Sequence, residues 1–596
     1  MKQMTAPPRQ QRGSGGSSNY RHQVAKSGRG KRGSVLLIIT AIAFSLFAVR
    51  LVDLQVVKGP ELAQAALDQR IKTKPIPAIR GSILDTTGQP LATTVEARDV
   101  TADQTLITDP AAVATALAPI LGVDSAVLAN RLTGTRRYMF VAKGLSPATW
   151  RQIEALRLPG IFSEQTQRRL YPGGDLAANV VGFVGADGKG LGGIESSMQS
   201  LLAGKAGTQT YERGAGNRII TTSDTGSSTD AVQGSSVQLT IDRDIQLVAQ
   251  RQIARQVAAT RSDSGTVVVL DPRSGHVLAM ATAPTFDSNS AASFDDAVRG
   301  NRVVSEVYEP GSTSKVMTMS AIVDQGKANA GSAFTIPGTL KRGGKVFHDD
   351  VAHGTWHLTL AGILAKSSNI GTILASERIG STKLYSYLKA FGIGDKTNVG
   401  LPGESGGLLP AHENWSPTTF PTVAFGQGLS VTSLQAASVF ATIANDGLRV
   451  EPRIIQSTVA PDGTVTPTPA PKTVQVVSPS TAKQIRLMLE GVVGKGGTAP
   501  KAAIPGYRVG GKTGTAQYVD PNCNCYNGGV VSSFIGMAPA DNPQLVVAVS
   551  LVNPHNGRWG GQIAAPVFKR VMTYGLQARS IPPTGKTAPK LLLTAG

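Results

Sequence analysis

Residues 33–49, GSVLLIITAIAFSLFAV, are 17 consecutive positions without a charge, and this run constrains the chain more than any other feature. As a helix rising about 1.5 Å per residue it nearly covers a hydrocarbon core of about 30 Å. Arg50 and Asp53 are placed to snorkel toward the interface while LVDLQVV prolongs the helix. Of the 59 Lys and Arg residues, 8 fall in the first 32 positions, where there is no Asp or Glu. Of the net charge of +20, +8 is therefore concentrated beside an apolar span, and no nucleic-acid partner is expected. RLVDLQVVKG, which follows, has no small-x-small cleavage site, so the span reads as an uncleaved anchor rather than a signal peptide. Lys26, Arg29, Lys31 and Arg32 precede it. By the positive-inside rule they keep the tail cytoplasmic and leave the chain beyond about residue 58 outside the cell.

At 596 residues the chain has room for several modules. Between the anchor and residue 235, short strand-like and helix-like pieces alternate with Gly- and Pro-rich turns, and TTSDTGSSTDAVQGSS, residues 221–236, marks a boundary. VQLTID and an apolar-periodic helix from Arg243 open the next region. GTVVVLDPRSGHVLAMAT then predicts a hairpin turning at residues 271–275. Three further strands are expected in YRVGGKTGTAQ, SSFIGMAPA and PQLVVAVSLV, and a helix in AAPVFKRVMTYGLQA. Strands at both ends with helices between them imply an α+β class, one mixed sheet clasping a helical cluster. The expected divisions are 1–32 (basic tail), 33–57 (anchor), 58–235, 236–578, and a flexible C-terminal tail at 579–596.

In YEPGSTSKVMTMSAI, residues 308–322, Pro310 and Gly311 break the chain before Val316, Met317, Met319 and Ile322 recur with helical spacing. Ser312 then falls in the first turn, with Lys315 one turn later on the same face. A serine hydroxyl attacks poorly until a base takes its proton. A lysine serves as that base when desolvation or a cationic neighbour keeps it neutral. The S-x-x-K spacing alone is weak, since it recurs at Ser480 and Lys483, where Ser478 or Ser480 reads as the N-cap of an amphipathic helix. Company separates the two. Downstream lie Ser367 and Asn369 of LAKSSNIGT, and GGKTGT at residues 510–515. Lys512 supplies positive charge, Thr513 and Thr515 suit a carboxylate, and Gly514 lets a backbone approach closely. A second S-x-N, Ser17 to Asn19, lies in the basic tail. Only the set headed by Ser312 is complete, in order and on one side of the membrane.

This combination resembles the S-x-x-K, S-x-N, K-T-G pattern of penicillin-binding proteins and serine β-lactamases. GTVVVLDPRSGHVLAMATAPTFD, FGQGLSVTSLQAA, SFIGMAP and AAPVF look like further signatures of the class B penicillin-binding proteins, monofunctional transpeptidases of bacterial wall synthesis, most like the division-specific ones. RGSILDTTGQPLA and RRLYPGGDLAANVVGFVG…GLGGIE resemble the motifs of that family's pedestal domain, except that Thr86 stands where the family usually has arginine. The resemblance implies an elongated α+β pedestal (dimerisation) domain at 58–235 and a transpeptidase domain at 236–578, with a mainly antiparallel sheet packed against helices. It implies that Ser312 attacks the penultimate D-alanine of a stem peptide, Lys315 acts as base, Ser367 relays a proton, Asn369 positions substrate and Lys315, and Lys512 tunes the field around Ser367. The backbone N–H groups of Ser312 and Thr515 form the implied oxyanion hole, and the stem peptide adds to the Lys512 strand if that strand lies at a sheet edge. No cofactor is implied. The implied partners are stem peptides ending in D-Ala-D-Ala, β-lactams, a polytopic glycosyltransferase of the shape, elongation, division and sporulation family, and other division proteins. An elongation-type enzyme, or a carboxypeptidase or β-lactamase using Glu404 or Glu413, is the alternative.

Three other patterns are set aside. Gly188, Gly190 and Gly193 fit G-x-G-x-x-G with Glu212 downstream, but no further βαβ units follow, and a pedestal turn is expected. HDDVAHGTWH offers His348, Asp349, Asp350, His353 and His357, yet the spacing fits no zinc motif, so no metal and a solvated loop are expected. Cys523 and Cys525 leave a strained disulfide, an intermolecular link and free thiols all open.

Overall fold

The computed structural model describes residues 29–213, 219–220, 228–520, 523 and 525–595. The basic tail to residue 28, with its second S-x-N, and residues 221–227 of the expected boundary lie outside the described residues.

The chain divides into two compact units, residues 1–75 with 208–229, and residues 76–207 with 230–596. In the first, the helix Arg29–Val52 passes through a π-helical turn, Asp53–Val57, to a helix Gly59–Arg70. Residues 32–57 are long and apolar enough to cross a membrane, and their large side chains, such as Leu36 and Phe47, face outward. Arg50 pairs with Asp53 at 2.7 Å where the apolar run ends. A small sheet of Ile71–Ile76 and Gly207–Arg213 completes the unit, with Glu212 bound to Arg70 at 3.2 Å.

The second unit is built on a five-stranded antiparallel sheet in the order Val277–Ala283, Ser264–Leu270, Leu545–Val552, Cys525–Ala538, Gly510–Asp520. The expected hairpin and the three late strands all lie in it. Val- and Ala-rich runs form these strands because both faces are covered. A Cβ on Gly265 would meet Ile253 and Val257 of the helix Arg243–Thr260. Thr266 points the other way and bonds Ser433 of the helix Ser433–Ala444 at 2.8 Å. Because successive residues face opposite sides, helices cover both faces. Gly510–Asp520 is the edge strand.

A second sheet joins the two halves of this unit. Ser236–Leu239 pairs in parallel with Ile83–Leu84 and antiparallel with Ile455–Val459, and Ile83–Leu84 continues into Pro90–Ala102. Thr86 sits at this seam, its hydroxyl 3.3 Å from Gln456. Val184 and Gly190 form a β-bridge, so the glycine-rich motif is a turn. Cys523 and Cys525 are joined in a disulfide.

Within the tail expected to be flexible, residues 591–595 are bound. Leu591, Leu593 and Ala595 turn inward while Leu592 and Thr594 are exposed, the alternation of a strand. The carbonyls of Leu592 and Leu593 accept from the Thr359 hydroxyl (2.7 Å) and N–H (3.2 Å), and Ala595 N–H donates to His357 O at 3.1 Å. The preceding helix ends at Ala578, closed by Ser580 in the left-handed conformation (φ 52°), and partial burial of the Leu-rich segment further on offsets its ordering entropy.

Candidate active site

Ser312 lies in a short 3-10 turn, Gly311–Ser314, that runs straight into the helix Lys315–Asp324. Every residue of that helix up to Val323 is buried, whereas Ser312 is half-buried, the accessible position in a closed turn. Gly426 braces the turn from behind. Its carbonyl accepts from Gly311 N–H at 3.0 Å, and its φ of 96° and the 2.0 Å clearance a Cβ would have to Gly311 O admit only glycine. Glu309, three residues before Ser312, accepts from Gly428 N–H (2.8 Å) and the Tyr526 hydroxyl (3.0 Å), and burial raises its pKa.

Lys315 is fully buried. Its Nζ donates to Ser367 O (2.6 Å) and Asn369 Oδ1 (2.7 Å) and lies 3.3 Å from Ser367 Oγ. Ser367 terminates the helix Leu360–Lys366 in the left-handed conformation, φ 62° and ψ 33°. A non-glycine residue rarely adopts that backbone, and here it turns both the carbonyl and the hydroxyl of Ser367 toward lysines. Lys512, also fully buried, approaches from the edge strand and donates to Ser367 Oγ at 2.9 Å. Gly514 is what permits that approach. A Cβ there would lie 2.3 Å from Ser533 Oγ and 3.1 Å from Thr313, in the Ser312 turn. Thr513 is buried and shares a 2.8 Å hydrogen bond with Thr498, while Thr515 is half-exposed on the same strand.

Burial lowers the pKa of Lys315 from 10.5 to about 8, against the pull of Asp350 and then Asp349, whose negative charges favour the ammonium. Burial, then the charge of Lys315, pushes Lys512 well below its ordinary value. Two lysines that desolvation drives toward neutrality are thus joined through one serine hydroxyl, an arrangement able to hold and pass a proton.

Two contributors were misread in the sequence. Asp349 and His353, expected in a solvated loop, have side chains only 3% and 4% exposed. Asp349 accepts from the N–H groups of Asn369 and Ile370 and, at 2.6 Å, from the Ser368 hydroxyl. His353 Nε2 lies 2.9 Å from the same carboxylate, and its ring stacks on Trp356 with centroids 3.6 Å apart. The helix Asn369–Ser376 has Ser368 as its N-cap, accepting from Gly371 N–H at 2.8 Å, while its first two N–H groups are satisfied by a residue 20 positions upstream. No local spacing rule reports such a contact; the one available signal was the acidic pair itself. Ser480 and Lys483 are both exposed, on a helix whose N-cap is Ser478. Glu404 is held by the N–H and hydroxyl of Thr397.

The penicillin binding protein transpeptidase domain matches residues 265–573, and the penicillin-binding protein dimerisation domain matches residues 75–239. The chain is a class B penicillin-binding protein. Among curated relatives it is 39% identical to penicillin-binding protein PbpB of Mycolicibacterium smegmatis, over 92% of this chain and 90% of the relative. It is 33% identical to peptidoglycan D,D-transpeptidase FtsI of Escherichia coli, over 92% of each. Among solved structures, penicillin-binding protein 3 of Mycobacterium tuberculosis complexed with ampicillin superposes with a TM-score of 0.70 at 36% identity, covering 88% of this chain and all of that one.

Proposed function

We infer that this protein is a peptidoglycan D,D-transpeptidase acting through a serine acyl-enzyme, in septal wall synthesis, and that β-lactams acylate the same serine. The observation that carries the reading is the buried Lys315–Ser367–Lys512 network lying against the Ser312 turn. Neutral Lys315 takes the Ser312 proton as Oγ attacks the penultimate D-alanine carbonyl. Ser367, held between two lysines, passes a proton to the leaving D-alanine nitrogen, and an amine from a second stem peptide then displaces the serine. Asn369 holds Lys315 and the substrate amide, Lys512 sets the field at Ser367, and Thr513, Gly514 and Thr515 receive the substrate carboxylate and backbone. The N–H groups of Ser312 and Thr515 stabilise the oxyanion. Because the Lys512 strand is at a sheet edge, the donor peptide has a free strand edge to join.

Residues 1–32 form the cytoplasmic tail, 33–57 the single membrane anchor, 58–235 the pedestal and 236–578 the transpeptidase domain, with catalysis outside the cell. A polytopic glycosyltransferase of the shape, elongation, division and sporulation family supplies the glycan strands, with anchor and pedestal as its contact, and other division proteins recruit the pair.

Mass spectrometry of the penicillin-treated protein tests this. The expected result is a long-lived adduct on Ser312, absent from Ser312→Ala and intact in Ser480→Ala. Rapid loss of the adduct to water points instead to a carboxypeptidase or β-lactamase, and an adduct on another serine defeats the assignment. A fluorescent fusion at the side wall rather than the septum favours elongation.

A further inference from the structure

In the segment 76–207, away from Ser312, two guanidiniums share one carboxylate. Arg80 donates from Nε to Glu195 Oε2 (2.6 Å) and from Nη2 to Glu195 O (2.8 Å), and Arg169 donates from Nε to Glu195 Oε1 (2.7 Å). The three side chains are 9%, 3% and 0% exposed in that order, so two buried cations face one buried anion. Such an excess charge is costly out of water unless another group answers it. Arg80 Nη1 and Arg169 Nη2 are both buried and have no hydrogen-bond partner among the described residues. Both arginines line a cavity of about 390 Å³, and Arg168 and Lys189 add two more cations to its wall. The acidic residue there, Asp187, is mostly exposed and engaged 3.5 Å from Lys189.

We propose that this cavity is an oxyanion-binding site, taking a carboxylate or phosphate group whose charge answers the excess positive charge of Arg80 and Arg169, with Arg168 and Lys189 as further cations on the wall. Planar guanidiniums suit the forked geometry of both groups. The volume falls in the range, about 300–1,000 Å³, of sites that hold more than a bare ion. Two sources carry the chemistry: a carboxylate of a wall stem peptide, or the phosphate of a lipid-linked strand. No residue of this cavity belongs to the Ser312 cleft, so the site stands or falls independently of the transpeptidase reading.

The test is calorimetric titration of the full chain in detergent micelles at fixed salt. The probes are inorganic pyrophosphate and, separately, a stem tripeptide lacking both D-alanines, which offers no acyl donor to Ser312. One saturable site is expected for at least one probe, weakened about tenfold or more, the worth of one charge-assisted hydrogen bond, by Arg168→Gln. Gln167→Glu, which places a carboxylate on the cavity wall, should weaken it as well. Binding of pyrophosphate alone identifies a phosphate ligand, and binding of the tripeptide but not its amidated form identifies a carboxylate. Absence of saturable binding by either probe, or equal affinity in both variants when their melting profiles without anion match the parent's, overturns the proposal.

Discussion

Lys315 has two opposing influences on its proton, burial that expels it and the carboxylates of Asp350 and Asp349 that retain it. Since the neutral amine is the form able to accept the Ser312 proton, acylation should rise with pH across a midpoint of about 8. Asp350→Asn removes a charge that favours the ammonium, so the Lys315 pKa falls and the rising limb moves to lower pH. The pH profile of the second-order rate of penicillin acylation checks this, and an upward or absent shift refutes the electrostatic account. Asp349 acts differently, through geometry. Asp349→Ala leaves the N–H groups of Asn369 and Ile370 and the Ser368 hydroxyl without their acceptor, a loss of about 1–2 kcal/mol by analogy with caps. It should therefore lower the melting temperature and slow acylation together, with Asn369 no longer held against Lys315. Lys315, Ser367, Asn369 and Lys512, which the fold brings together, were legible because each belongs to a short motif. Asp349 was not, because the backbone groups it satisfies lie 20 residues along the chain, and its neighbours His348 and Asp350 suggested only a polar loop.

The strands and helices that carry the site were readable where the chain repeats a period: VVVL and LVVAVSLV as sheet interior, and the helix from Arg243 by its apolar spacing. The segment 591–595 was not, since Pro, Gly and Lys upstream of it suggested a loose end. Its place in the fold gives it consequences. It pairs beside Trp356–Thr359, and the Thr359 hydroxyl that donates to Leu592 O also accepts from Gly362 N–H at 3.0 Å, capping the helix that ends at Ser367. A Cβ on Gly362 would lie 1.8 Å from Leu593 O, so the strand is seated directly on that helix. Leu593→Ala should cost about 1 kcal/mol for a half-buried leucine. Removing residues 591–595 should lower the rate of Ser312 acylation as well as the melting temperature. An unchanged acylation rate in the truncated, folded protein would show that the helix holds Ser367 without this support.

The 221–236 stretch suggested a clean boundary, and the composition shift there is real, but the chain on either side of it is sewn into one sheet. Ile83–Leu84, only two residues long and too short for any periodicity to reveal, lies between Ser236–Leu239 and Pro90–Ala102. Ile83 is fully buried in the hydrophobic core that also contains Val237, Leu239 and Val316 of the Ser312 helix. A core that spans both matched domains predicts that the residues packed into it unfold together instead of in two separate events, while the second core around Val100, Leu117 and Leu128 forms its own cluster. Ile83→Ala deletes a fully buried side chain and should cost about 2–5 kcal/mol. Because the core is shared, that cost should appear in the temperature at which penicillin labelling of Ser312 is lost, although Ile83 lies outside the transpeptidase match at residues 265–573. Calorimetry and temperature-dependent labelling of the same variant decide the matter. If the labelling midpoint stays at the parent's value while a separate calorimetric transition moves, the two domains fold independently and the shared sheet is a contact rather than a common core.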